Sequence, residues 1–214
     1  MEMQKTVLIL AGGQGRRFHS FDKCFAMLDN KLLIQHAIDN ISGLADEIIV
    51  AARDEQQGEK ISARVHDNKI DFAFDTLNGV GPLAGFLSGL EQASFAFSLV
   101  IGCDMPFVNE SVVKLLFEIA STGYDAVVPR WENGMLEPLH AVYRREPMLA
   151  AIRDTVKRGD GKIYHAISQL KDVCFLPVNR IREIDPELKT FRNINTPFEL
   201  KKAKSFYALS DKYT

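Results

Sequence analysis

"VLILAGGQGRRF", residues 7–18, decides the fold: an apolar run stops at two adjacent glycines, a third follows at Gly15, and Arg16 and Arg17 come next. A strand ending in that much backbone freedom must turn at once, and glycines bare the backbone N–H groups that can wrap an anion. Arg16, Arg17 and, further on, Lys23 offer charge-assisted bonds to phosphate oxygens. Two familiar phosphate loops are excluded by spelling. A Walker-type loop needs Gly-x-x-x-x-Gly-Lys-Ser/Thr, and that string does not occur. A dinucleotide fingerprint needs Gly-x-Gly-x-x-Gly; counting from Gly13 gives Gly13, Gly15 and then Phe18, so the glycine that permits close helix-on-strand packing is missing. Taken alone, a glycine-rich turn followed by basic residues is more often structural.

Outward from this loop, short apolar runs alternate with helical patterns. The strand candidates are 6–10, 47–52, 71–74, 98–102, 125–129, 139–143 and 173–178. Several are apolar throughout rather than alternating, as expected where both faces of a sheet are covered. Between them, "LLIQHAIDNI" sets Leu32, Leu33, His36, Ala37 and Ile41 at helical spacing, and "NESVVKLLFEIA" puts Val112, Leu115, Leu116 and Ile119 on one stripe behind Asn109 as N-cap. Near the end, Thr196, Pro197 and Glu199 spell a capping box with proline at the first helical position. The alternation predicts an α/β fold with a mostly parallel sheet, and with no internal repeat or linker the chain reads as one domain, 1–214.

Composition narrows the function classes. The 214 residues are 46% hydrophobic, enough for one sizeable core, and the net charge of −2 argues against a general nucleic-acid surface. Cys24, Cys103 and Cys174 form no Cys-x-x-Cys pair, so neither a disulfide framework nor a structural zinc is indicated. The opening "MEMQKTVLIL" is too short for a signal core, and no run approaches membrane-spanning length. A soluble cytoplasmic protein is expected.

Further motifs sit where strands end. "LVIGCDMPF" carries an apolar strand into Asp104, and ligands of open α/β sheets gather outside the carboxyl ends of strands; the plain alternative is a turn aspartate. "FDTLNGVGPLAGFLSGL" places Asp75 at a strand end, Gly81-Pro82 at a helix start, and Gly85 and Gly89 on one helix face, where helix-on-sheet packing is a sufficient reason for Gly89. Asn193 and Asn195 precede the capped helix and are equally turn formers. His140, on an apolar strand, reads as a core histidine, and Arg144-Arg145 as a solvated pair.

In this order along the whole chain, "LAGGQGRRF" with "DK", "GPLAG", "GCDMPF", "EPLHAVYRR" and "NINTPFEL" resemble the molybdenum cofactor guanylyltransferases, within the nucleotidyltransferases of glycosyltransferase-A-like fold. The resemblance implies a single-domain, three-layer, Rossmann-like architecture and transfer of GMP from GTP to the phosphate of molybdopterin, releasing pyrophosphate. It implies that Leu10, Ala11 and Gly12, with Gly13 and Gly15, pack on the nucleotide, that Lys23 meets its phosphates with Arg17 beside it, and that Gly81 belongs to the same site. Asp104 would hold a magnesium ion that neutralises the triphosphate, with Asn195 as a further ligand of the metal or its waters. Asp75 would accept from guanine N1–H and N2–H₂, a donor pair that cytosine lacks. The expected partners are GTP and molybdopterin, with transient contacts to other proteins of molybdenum cofactor assembly, and neither nucleic acid nor membrane.

Two departures stand out. The family commonly carries an asparagine after the second strand to help read the base, whereas this chain has Arg53, which cannot accept a hydrogen bond but can donate to guanine O6. Glycines that commonly follow the paired arginines are replaced here by "FHSFDK". The alternatives kept open are a cytidylyltransferase on the same or another phosphorylated acceptor, and a non-catalytic nucleotide-binding protein. Trp131, the only tryptophan, lies in "RWENGM" and reads as an aromatic tucked against the fold, with stacking on the pterin as the alternative; the basic segment 156–162 is a further candidate for the pterin pocket.

Overall fold

The computed structural model describes residues 3–12, 23–66, 70–77 and 79–210. Gly13, Gly15 and Arg17, expected at the phosphate site, lie outside the described residues.

In chain order the elements are β1 (Lys5–Leu10), the short hairpin β2 (Met27–Leu28) and β3 (Lys31–Leu32), α1 (Leu33–Ile41), β4 (Glu47–Ala52), α2 (Glu55–Ser62), β5 (Ile70–Phe74) and α3 (Pro82–Gln92). They continue with β6 (Phe97–Gly102), α4 (Glu110–Ala120), β7 (Ala126–Arg130), β8 (His140–Arg144), α5 (Arg145–Lys157), α6 (Ile163–Ile167), β9 (Val173–Pro177), α7 (Val178–Arg182) and α8 (Pro197–Ser210). Every strand of the main sheet lies within one residue, at each end, of its sequence expectation.

The main sheet has seven strands in the order β5-β4-β1-β6-β8-β7-β9. β8 runs antiparallel to both of its neighbours, while the other pairings are parallel. Alternate residues of each strand serve opposite faces. Val7, Ile9, Ile48, Val50, Leu99 and Ile101 pack with side chains of α1, α2 and α4. Leu8, Ile49, Ala51, Val100 and Tyr143 pack with α3, α5 and α6. This two-sided burial explains why the strands are apolar throughout and gives the three layers. A Cβ on Gly89 would stand 2.2 Å from Leu8 Cδ1, so α3 rests on β1 as closely as its backbone allows.

Helix starts follow the sequence signals with one shift. The Asn109 side chain accepts from the amides of Ser111 and Val112. At α8, Thr196 Oγ1 accepts from Glu199 N at 3.1 Å as a capping box requires, but the Glu199 carboxylate takes the amide of Asn195 rather than that of Thr196. The glutamate therefore reaches one residue further back and fixes the segment carrying Asn195.

The carboxyl ends of β5, β4, β1 and β6 share one rim, followed by Asp75, Arg53, Ala11-Gly12 and Asp104 respectively. Chain order runs outward from β1 through β4 to β5 on one side and resumes at β6 on the other, so the rim between β1 and β6 is a topological switch point, the usual location for ligands in such sheets. Among the described residues no helix is long and apolar enough to cross a membrane.

Candidate active site

Lys23 opens a 3-10 turn (Lys23–Phe25) whose next residues, Cys24 and Phe25, are buried and anchor it. Its Nζ donates to Asp104 Oδ2 at 3.2 Å and also to Asn195 Oδ1, joining parts of the chain 81 and 172 residues apart in sequence. Both ends of the ion pair are largely withdrawn from solvent, at 24% and 16% side-chain exposure, which strengthens it over a surface pair. Asp104 reaches this position because it folds back over Gly102, where a Cβ would lie 2.5 Å from Asp104 Oδ1. The backbone completes the arrangement: Cys103 N donates to Leu10 O, and Ile194 N to Asp104 O. At the switch point, among the described residues, the Lys23 ammonium thus faces the Asp104 carboxylate and the Asn195 amide oxygen. Asn193, by contrast, is exposed.

A second cluster lies across β1. Asp75 N donates to Ala52 O, and its carboxylate stands between two glycines. A Cβ on Gly12 would be 2.8 Å from Asp75 Oδ2, and one on Gly85 would be 3.2 Å from Asp75 Oδ1. The two glycines therefore let a carboxylate sit against bare backbone, which is the reason for Gly85 that sequence spacing only hinted at. Oδ1 is buried with no hydrogen-bond partner among the described residues. Burial pushes the Asp75 carboxyl up to about 6, against a downward pull from Arg53 and a smaller upward push from Asp54. A buried carboxylate oxygen with no such partner, packed against two glycines, is the kind of perturbed polar group that marks candidate functional sites. Arg53 Nε is paired with Asp54 Oδ2 at 3.0 Å.

Gln57 is a site residue that sequence reasoning missed. It is 1% exposed on α2; its Oε1 accepts from Arg53 N at 2.8 Å and its Nε2 donates to Ala11 O at 3.2 Å. One side-chain amide therefore ties the loop after β1 to the loop after β4, beside Gly12 and Asp75. Gln57→Ala removes the partner of both backbone groups and, if the site takes the nucleotide that the family resemblance implies, is expected to raise its KM about tenfold, with kcat changing less than about threefold. Steady-state kinetics would show it, and equal losses in both parameters would contradict a positioning role.

Gly81, at the N-cap of α3 with φ +57, takes a backbone conformation that favours glycine, with Pro82 beginning the helix. Gly161 abuts the backbone of Val80 next to it, bringing the segment 156–162 against this loop. Arg144 and Arg145 lie at the opposite end of the sheet, since Arg144 pairs with Phe97 at the start of β6, and Arg145 Nε caps Leu90 O. His140 is fully buried opposite Ile101; its Nε2 meets Thr190 Oγ1 at 3.0 Å, and burial holds the ring neutral by pushing it down to about 3.

For a magnesium ion the fit rests on the donor set. Asp104 Oδ2 and Asn195 Oδ1 converge on one cation, Lys23 Nζ, and are the hard oxygen donors that magnesium prefers. Among the described residues no group of three or more His, Cys, Asp or Glu side chains could hold a metal.

A family model for the MobA-like NTP transferase domain matches residues 7–173. The probable molybdenum cofactor guanylyltransferase of Methanosarcina mazei is 42% identical over 200 residues, covering 92% of this chain and 88% of that protein. The molybdenum cofactor guanylyltransferase of Desulfosudis oleivorans is 33% identical, with 94% of each chain covered. The crystal structure of molybdopterin-guanine dinucleotide biosynthesis protein A from Archaeoglobus fulgidus superposes with a TM-score of 0.81 at 34% identity, covering 95% of this chain and 98% of that one. A 2-C-methyl-D-erythritol 4-phosphate cytidylyltransferase from Thermus thermophilus shares the fold, with a TM-score of 0.68 at 18% identity over 97% of this chain and 100% of that one.

Proposed function

Because the chain belongs to the MobA-like NTP transferase domain family and is a nucleotidyltransferase, we propose that it transfers GMP from GTP to the phosphate of molybdopterin. The acceptor phosphate oxygen attacks the α-phosphorus in line, a new P–O bond forms, and the bond to the β-phosphate oxygen breaks to release pyrophosphate. The acceptor phosphate is already ionised at neutral pH, so no covalent enzyme intermediate is needed, and positioning and electrostatics supply the acceleration. The observation that carries this reading is the meeting of Lys23, Asp104 and Asn195 at the switch point.

Asp104 and Asn195 are the residues to hold magnesium, which when bound supplies charge neutralisation of the triphosphate. Lys23 is placed to turn from Asp104 toward the phosphates and take up charge on the leaving pyrophosphate, with Arg17 as its partner in that task. Leu10, Ala11 and Gly12 line the nucleotide on one side and Gly81 on the other, and the resemblance adds Gly13 and Gly15 to the nucleotide-binding residues. Asp75 receives guanine N1–H and N2–H₂, and Arg53 donates to O6. We place the enzyme in the cytoplasm, where Cys24, Cys103 and Cys174, which form no disulfide, stay reduced.

Pyrophosphate release measured with GTP and with CTP, molybdopterin and magnesium present, tests the proposal. Release with GTP exceeding that with CTP by at least about a hundredfold is expected, since a site built on hydrogen bonds rejects a base lacking the donors. Equal rates, or a preference for CTP, would overturn the base assignment.

A further inference from the structure

The turn joining β7 to β8 stands on the same rim as Asp104, because β7 ends there and the reversed β8 begins there. Two strand spacings, about 10 Å, separate β6 from β7 across the sheet. The turn is rigidly built. Trp131 N donates to Met135 O, Glu137 N to Pro129 O, His140 N to Glu137 O, and Tyr143 Oη to Pro138 O. Trp131 packs on Phe191 with ring centroids 5.7 Å apart. Its indole Nε1–H donates to Glu137 Oε1 at 2.6 Å.

Glu137 is half-buried: burial pushes its carboxyl up, and among the described residues the bond from Trp131 is the opposing influence. A merely structural acceptor for the indole would not need that charge. Glutamine at the same place would take the same hydrogen bond without the cost of desolvating a carboxylate. That leaves the charge available to a ligand with N–H donors. A pterin carries such donors on its pyrimidinone edge, a ring N–H beside an exocyclic amino group, the pairing that suits a carboxylate in guanine as well.

We propose that the Glu137 carboxylate, oriented by the Trp131 indole, binds the pyrimidinone edge of the pterin acceptor; this rests on the molybdopterin reading above. Glu137 is then a binding residue and Trp131 a positioning residue. The acceptor would lie across β8, with its phosphate toward Asp104 and its ring system toward the turn.

Trp131 is the chain's only tryptophan, so its emission reports on this place alone. Titrating molybdopterin into the full chain without GTP should quench that emission. In Glu137→Gln, which keeps the indole bond, the quenching midpoint and the acceptor KM should both rise about ten- to a hundredfold, while the KM for GTP stays unchanged. An unchanged midpoint and acceptor KM in Glu137→Gln, or no response of wild-type emission, would overturn the subsite. Wild-type protein that binds molybdopterin by quenching but releases no pyrophosphate with GTP would sink the guanylyl-transfer reading and leave this subsite standing.

Discussion

Asp104→Ala is expected to lower the rate of pyrophosphate release by at least about a thousandfold, the several kcal/mol that a metal-held triphosphate contributes to the transition state. The fold should survive. Asp104 meets Lys23 through an ion pair, and the strand end is still held by the Cys103 N to Leu10 O and Ile194 N to Asp104 O hydrogen bonds, which belong to the backbone. Asp104→Asn sharpens the test because it keeps the shape and a carbonyl oxygen for Lys23 while removing the charge. Activity of either variant within tenfold of wild type, measured with saturating magnesium, would refute the assignment of Asp104 to the metal. A parallel melting curve shows whether a loss of rate is a loss of folded protein.

The second large effect is at Asp75, where stability and binding should move in opposite directions. Its carboxyl is raised from the ordinary 3.8 to about 6 in the folded chain. A raised folded value means that the folded state holds the proton more tightly than the unfolded one. The associated stability is therefore complete below about 4 and is lost as pH rises through about 6. Asp75→Asn removes this loss, so the free variant should melt at a higher temperature than wild type at pH 7 to 8, with the difference closing near pH 4. The same substitution should raise the KM for GTP about ten- to a hundredfold, because one oxygen of a bidentate acceptor is replaced by a donor. In wild type, kcat/KM for GTP should climb with pH through about 6 and then level, as the free-enzyme carboxylate forms. The acceptor phosphate titrates nearby, so the part of the climb that disappears in Asp75→Asn belongs to Asp75. A variant with unchanged melting temperature and unchanged GTP KM would remove Asp75 from the base site.

Much of the fold was legible because a covered sheet writes itself as uniformly apolar strands, and residues 47–52 were found to the residue. The β2–β3 hairpin was not, since two-residue strands carry no periodicity. Its cue was the pair Asp29-Asn30, both with positive φ as a tight primed turn requires. The reversed direction of β8 was equally hidden, because strand polarity depends on the connection and not on the strand's own residues. At the site, Asp75 and Asp104 were legible as acidic residues that terminate apolar runs. Gln57 was not: it sits in a polar helix, and its burial comes from two loops folding onto it. Glu137 was passed over for a related reason, since its bond to Trp131 closes a turn whose shape no linear spacing encodes.

The reversed strand has a consequence for how such enzymes diversify. A parallel crossover must carry a helix back along the sheet, so altering it disturbs a whole layer. The connection from β7 to β8 is a hairpin confined to the rim, with Gly134 at its tip. Residues can be exchanged or inserted there without rethreading the chain. Change can thus accumulate on this detachable corner while the half of the sheet that carries Asp75, Lys23 and Asp104 is inherited intact.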